Sequence, residues 1–571
     1  MTAPETRMRE TRIMTTKLKL LACAVLCTAF MAVPLRAQSN NHANAPLSPA
    51  EIENWREDLR FLAAELPRRH RNLFHAMTRE QFELAVKRLD EKIPTLARHQ
   101  IIVELQRLVA MIGDAHTAIQ GIPFDPRINF HSYPLTLYLY RDGLFVQSAD
   151  PKYAQAVGAR VVKIGNASAA DALRASSELV FHDNEQGIKA FAPFVVTTPE
   201  VLQSLGLISE MERAPFVFER DGKQFTLLLE PAQRPVPIGL GTNFIKPPGW
   251  VDARDKASAP VPLYLKDPEN LFWFEYLPDA KTVYVQYNTV ANKPDQTIAD
   301  FSKKLFEFVS THPVERFVLD LRNNGGGNNA LNRPLLLGIL KSKIDERGKL
   351  FTIIVRRTFS AAQNLVNELD KYSNTIFVGE PTGENVNHYG DPVRVELPRS
   401  GIVVRVSSVW WQDMDPRDRR QWTGPHVAAE LTSEDYRTNT DPAMKAILAY
   451  VPQQPLSETM MEALQAGDVE LAKKRFWEYR NDPANAYLNP EATVNSLGYR
   501  LMELKRLEQA IELFKLNVEA FPQSANAYDS LGEAYLNAGN NELALKNYQK
   551  AVELDPTNAN AAQIVKRLRG K

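Results

Sequence analysis

Two loops hold the residues best suited to chemistry. Phe317-Val318-Leu319-Asp320-Leu321 reads as a buried strand that runs into Arg322-Asn323-Asn324-Gly325-Gly326-Gly327. The glycines leave the backbone bare, so its N–H groups can approach a ligand oxygen closely. Further along, Arg356-Arg357-Thr358-Phe359-Ser360-Ala361-Ala362 is a second β-run that turns into a helix, with Ser360 at the N-cap position. Its hydroxyl would stand beside an unbonded N–H group and the positive end of the helix dipole, which favours a developing oxyanion. A serine at this place is otherwise an ordinary helix cap, and a hydroxyl is a weak nucleophile until a base removes its proton. Cysteine is excluded as the nucleophile, because Cys23 and Cys27 both lie in an apolar N-terminal run that reads as a cleaved leader. The ten histidines form no His-Glu-x-x-His pair or other tight metal spacing, so no metal and no cofactor is expected.

The elements around these loops alternate. Within 271–451, strands at 282–287, 317–321, 351–355 and 376–378 are interleaved with helices at 296–309, 330–340 and 361–371. This is the α/β pattern, in which loops at strand ends carry the site. In 48–121 apolar side chains recur at three and four (Ile52, Trp55, Leu59, Leu62; Phe82, Val86, Leu89; Ile101, Leu105, Leu108), which predicts an N-terminal helical cap. Residues 130–232 shift to alternation, as at Leu135, Leu137 and Leu139, and read as a mainly β domain with strands at 159–164, 216–219 and 225–229. The Pro-rich stretch 233–270 reads as a linker.

Residues 490–571 repeat with a period of 34, pairing Leu497 with Leu531, Gly498 with Gly532, Ala510 with Ala544, Phe514 with Tyr548 and Pro522 with Pro556. These types resemble tetratricopeptide repeats: glycine and alanine where helices approach, aromatics filling the gap, proline ending the second helix. Gly467, Ala472 and Phe476 mark a degenerate unit at 456–489, expected as a capping hairpin. A helical solenoid of this kind implies a groove for a peptide or a protein partner.

Asp-Leu-Arg-Asn-Asn-Gly-Gly-Gly, then Thr-Phe-Ser-Ala-Ala, then Val378-Gly379-Glu380-Pro381-Thr382-Gly383, in that order and spacing, closely resemble the tail-specific (C-terminal-processing) serine peptidases. That family includes the tricorn core protease, and the resemblance runs from about Pro67 to Tyr450. It implies a crotonase-like α/β core, a PDZ-like domain in place of 130–232, and hydrolysis of peptides or protein termini through an acyl-enzyme. Ser360 matches the nucleophile. The oxyanion hole is expected from the Ala361 N–H and a glycine N–H of 325–327, Gly325 or Gly326 foremost.

The bacterial branch draws its base from a lysine 25 positions after the serine, where this chain has Asn385, and no lysine occurs between Lys371 and Lys445. Gly113-Asp114-Ala115-His116-Thr117 instead resembles the Gly-Asp-Gly-His-Thr signature of the tricorn-like branch and implies His116 as base. His388, close to the missing lysine, is the alternative. The tricorn-like set also needs an acid and a polar residue next to the histidine, and this chain departs by having Ala115 before His116, so the orienting acid stays open among Glu380, Glu384, Asp415 and Asp418. Trp410 and Trp411 read as a core or strand-edge pair rather than a pocket wall. A different role is also open: relatives of this fold in the retinoid-binding protein of the eye bind ligands without cleaving them, and the repeats would then be the working scaffold.

The totals set outer bounds. A chain of 571 residues exceeds the roughly 250–300 that one core can serve, so several domains are expected. Lys plus Arg equal Asp plus Glu at 68 each, which leaves no net field to hold nucleic acid. Lys17 and Lys19 precede an uncharged run over 20–33, and Ala37 offers a small cleavage residue, the pattern of a signal peptide at 1–37. The run is shorter than the ~20 residues of a membrane span. The mature chain is expected to be exported, to a periplasm or the exterior, with no transmembrane segment.

Overall fold

Capping residues set where the first described helices begin. Ser48 and Glu51 close a capping box on the helix Pro49–Arg69, Thr78 and Gln81 do the same for Arg79–Lys92, and a third helix spans Arg98–Ala110. The computed structural model describes residues 46–122, 125–232 and 244–570; the expected signal peptide, both cysteines and the first part of the expected linker, 233–243, lie outside them. Trp55, Leu59, Leu62, Phe82, Leu89, Ile101, Leu105 and Leu108 share one buried cluster, as their spacing predicts. That cluster also takes in Val395, Val404 and Val406 from an antiparallel hairpin, Asn387–Glu396 with Val403–Gln412. The short strand Ala118–Ile119 adds to the hairpin, with Ala118 opposite Arg405. The turn before that strand is thereby fixed against residues from the other end of the α/β region.

The α/β region is a sheet in the order Val427–Ala428, Ile376–Gly379, Leu350–Ile354, Arg316–Asp320, Thr282–Tyr287, Phe272–Leu277. All neighbours are parallel except the last pair. Helices Ile298–Thr311, Arg333–Leu340 and Ala361–Tyr372 cover one face, and Pro442–Leu448 covers the other. Burial on both faces is why these strands read as continuous apolar runs. Three adjacent parallel strands, Arg316–Asp320, Leu350–Ile354 and Ile376–Gly379, release their carboxyl-end loops on one side of the sheet, where α/β proteins bind ligands.

Residues 130–232 form an antiparallel sheet in the order Leu135–Tyr140, Gly143–Ala149, Arg160–Ile164, Ala214–Arg220, Lys223–Leu229. The mainly β reading is corrected between the third and fourth strands, where helices Ala169–Ser177, Glu185–Val195 and Pro199–Ser204 occur. Gly187, Pro193 and Pro199 break their period into pieces too short to register. The linker reading is corrected for 244–270: Val251–Asp252 pairs with Gly143–Ala149, and Phe244, Tyr264 and Leu265 are buried with Tyr138, Tyr140 and Tyr436. Aromatic burial rather than periodicity holds this stretch.

Beyond residue 455 the chain is helical: Leu456–Gln465 and Val469–Asn481 as the capping hairpin, then Glu491–Glu503, Leu507–Ala520, Ala525–Asn537, Asn541–Leu554 and Ala559–Arg569. A Cβ on Gly498 would stand 2.6 Å from the Phe514 ring, and one on Gly532 3.0 Å from Tyr548. Those are the glycine and aromatic positions of the repeat, meeting within each helix pair. Among the described residues no helix is long and apolar enough to cross a membrane.

Candidate active site

The strand Leu350–Ile354 ends in a turn locked to the neighbouring loop. Thr358 Oγ1 donates to the Leu321 carbonyl (3.1 Å), and Phe359 N–H donates to the Asn324 carbonyl (3.1 Å). Ser360 follows at φ 56°, ψ −128°, a strained conformation for a residue with a side chain. It precedes the helix Ala361–Tyr372, yet its side chain makes no capping hydrogen bond. The hydroxyl points instead to His116, with Oγ 3.0 Å from Nε2. The reading of Ser360 as an ordinary capping serine is therefore set aside.

His116 is held by an aspartate turn. Asp114 Oδ1 accepts the N–H groups of His116 (2.9 Å) and Thr117 (2.8 Å) and the Ser407 hydroxyl (2.7 Å), while Oδ2 lies 2.8 Å from His70 Nε2. Burial works to raise the Asp114 carboxyl, but the His70, Ser407 and Thr117 hydrogen bonds outweigh it and hold its pKa down at about 2. The other imidazole nitrogen, Nδ1, is 3.2 Å from Glu384 Oε1, an ion-pair distance whose alignment falls short of a hydrogen bond. Such contacts are often loose before a substrate binds. Glu384 Oε2 accepts the Ser360 N–H, so one buried carboxylate touches both residues. The Phe359 ring stacks on the imidazole at a centroid distance of 4.5 Å.

The other sequence candidates fall elsewhere. Glu380 forms a buried ion pair with Arg356 at 2.6 Å, and Arg356 also donates to the Leu139 carbonyl. Asp415 pairs with Arg417, and Asp418 with Arg420, on the surface. His388 lies behind the site: its Nε2 is 3.7 Å from Glu384 Oε2 and its ring centroid 6.1 Å from that of His116. Burial first, then the neighbouring His116, lowers the His388 pKa against the pull of Glu384.

The glycine loop needs one correction. Gly326 N–H is already donated to Asn324 Oδ1 at 2.9 Å, so it is not a free donor. What Gly326 supplies is closeness: at φ +100° its missing Cβ would lie 2.5 Å from Ser360 Cβ and 2.9 Å from Ala361 N. Among the described residues the N–H groups of Gly325, Gly327 and Ala361 have no partner.

A cavity of about 530 Å³ opens on His116 and Ser360 beside Gly325 and Gly327. Its apolar wall includes Val103 of the helical cap and Phe181, Phe191 and Phe194 of the helical insertion in the β domain. Those phenylalanines were not singled out in the sequence, because nothing local marks them as lining a site. Trp410 does not border this cavity; it lies on the hairpin, 39% exposed, against Tyr389.

No curated protein matches the chain. Among solved structures, mature CPAF complexed with lactacystin is similar over 70% of this chain and 99% of that one, at 14% identity and a TM-score of 0.47. The photosystem II D1 C-terminal processing protease is similar over 69% of this chain and 97% of that one, at 16% identity and a TM-score of 0.32. The first TPR domain of human RPAP3 covers 20% of this chain and 87% of its own length, at 22% identity and a TM-score of 0.15. Residues 525–558 match the family model of the tetratricopeptide repeat.

Proposed function

We propose that this chain is an exported serine-type peptidase of the tail-specific kind, hydrolysing peptides or protein termini. The observation that carries the reading is the 3.0 Å approach of Ser360 Oγ to His116 Nε2 on a serine freed from its capping role. With the imidazole proton on Nδ1, facing Glu384, Nε2 accepts the Ser360 proton as Oγ attacks the scissile carbonyl carbon. The carbonyl oxygen becomes an oxyanion beside the free N–H groups of Ala361 and of Gly325 or Gly327. Ser360 N–H, donated to Glu384, takes no part in that hole. The imidazolium then protonates the leaving amine, the C–N bond breaks, and an acyl-Ser360 ester remains. Water, deprotonated by His116, attacks the ester and returns Oγ–H. Glu384 orients the ring and offsets its charge while it is protonated.

The apolar cavity suits a bulky apolar substrate side chain next to the cleaved bond. The repeats recruit a protein partner or substrate, and export through the leader at 1–37 puts the enzyme in a periplasm or outside the cell. A fluorophosphonate probe tests the central claim: it should label the wild type and leave Ser360→Ala unlabelled. Equal labelling of both, or of neither while the proteins are folded, would remove Ser360 as nucleophile.

A further inference from the structure

We infer that Asp183, on the loop between the helices Ala169–Ser177 and Glu185–Val195, is a positioning residue that clamps the His116 turn to the Glu384 loop. The inference rests on the proposed roles of those two residues.

Asp183 Oδ1 accepts the N–H of Ala115, next to His116, at 3.0 Å. Its Oδ2 accepts the N–H of Asn385, next to Glu384, at 3.5 Å. One carboxyl group thus bridges the residues flanking the base and its acid, which approach each other at 3.2 Å. The turn at His116 is also tied to Ser407, through Asp114 and Thr117, and to His70 through Asp114, but those bonds do not reach the Glu384 loop. The segment around Asp183 is itself fastened to the Glu384 side: Asn184 donates to the Gln421 carbonyl, and a Cβ on Gly187 would stand 3.5 Å from the Gly383 carbonyl oxygen. The loop therefore cannot drift away from the loop it holds.

Burial first, and then the Glu384 and Asp114 carboxylates, push the Asp183 carboxyl well above the usual carboxylate range. That shift weakens the negative charge that Asp183 would otherwise add beside Glu384 and Asp114, while its two oxygens meet the two backbone N–H groups. An asparagine has nearly the same shape and keeps the oxygen that meets Ala115 N–H, whereas alanine removes both acceptors.

The test is steady-state hydrolysis of a short peptide substrate by wild type, Ser360→Ala, Asp183→Ala and Asp183→Asn, with thermal melts of each. Asp183→Ala should lose about 10- to 100-fold in kcat with KM within about twofold, as expected when a base and its acid are displaced by a fraction of an ångström. Asp183→Asn, which keeps the Ala115 half of the bridge, should fall between Asp183→Ala and the wild type. Equal losses in Asp183→Asn and Asp183→Ala would overturn the clamp, and so would full kcat in a folded Asp183→Ala. A wild-type rate no higher than that of Ser360→Ala would instead remove the peptidase reading, and this inference with it.

Discussion

Ser360 Oγ lies 3.0 Å from His116 Nε2, although 244 positions separate the two in the chain. The contact exists because Ala118–Ile119 pairs with the hairpin that follows the serine helix, which carries the turn holding His116 across the fold. A proton relay between these atoms requires both. Ser360→Ala and His116→Ala should each lower peptide hydrolysis by at least about 10³-fold while leaving the melting temperature near that of the wild type. Full activity in His116→Ala would shift the role of base to His388.

Glu384 and Glu380 are both buried, yet they should fail in different ways. Glu384 faces His116, so Glu384→Gln should cost about 10²-fold or more in kcat with modest loss of stability. Glu380 neutralises Arg356 at 2.6 Å, with both side chains 4% exposed. Glu380→Gln leaves that guanidinium without its counter-charge and should destabilise the fold by about 3–5 kcal/mol. Urea unfolding and kcat, measured on both variants, separate the two roles.

Gly326 tests the geometry beside the nucleophile. A methyl group there would meet Ser360 Cβ at 2.5 Å and Ala361 N at 2.9 Å, from a backbone at φ +100°. Gly326→Ala should displace the serine turn and abolish fluorophosphonate labelling in a protein whose circular dichroism is unchanged. Normal labelling of that variant would mean that the turn yields to the methyl group.

Much of this was readable from residue types, and the reasons differ by region. The parallel strands announced themselves because burial on both faces gives unbroken apolar runs, and Gly498 with Phe514 because the 34-residue period repeats their pairing. The hairpin Asn387–Glu396 with Val403–Gln412 was hidden: Asp391, Pro392 and Arg394 interrupt its alternation, and its buried valines are covered by helices from the N-terminal cap. Glu384 was one of four carboxylates until folding brought it to His116. Asp114 carried a readable signal, an aspartate two and three residues before N–H groups it can bind, whereas Asp183 had none. The backbone of Ser360 at φ 56° cannot be inferred from its type at all.

Asp114 makes a prediction about acid stability. Its carboxyl has a pKa of about 2 in the folded chain, against 3.8 ordinarily. A group depressed by folding stabilises the fold above its unfolded pKa and loses that contribution as pH falls through the folded value. The stabilisation is about 2 kcal/mol, complete above pH ~4 and fading toward pH 2. Asp114→Asn should therefore be less stable than the wild type at pH 7, with the difference shrinking as the pH is lowered through that window. A constant difference from pH 7 to pH 2, measured by urea unfolding, would mean that packing and not ionisation sets the effect.

The solenoid bears on stability more than on chemistry. Every group placed in the mechanism, from His116 to Glu384, lies before residue 450, and none of the residues lining the cavity at Ser360 comes from the repeats. The capping hairpin nevertheless touches the α/β core: Tyr487 donates to Glu430, a Cβ on Gly424 would stand 3.4 Å from the Tyr487 carbonyl oxygen, and the single turn Pro483–Asn485 packs beside the edge strand Val427–Ala428. Thr423, just before that strand, exchanges hydrogen bonds with Thr382 and accepts from Gln363 of the serine helix. Removing the repeats would uncover a sheet edge and loosen this brace, and exposed edges invite association. A chain ending at Tyr450 should hydrolyse short peptides within about threefold of the full-length rate, melt a few degrees lower and aggregate more readily. It should also lose binding to a partner captured by the full-length protein. If the shortened chain stays folded and monomeric but no longer cleaves the short peptide, then the brace through Thr423 and Thr382 is part of what holds Glu384 in place, and the solenoid belongs to the catalytic unit.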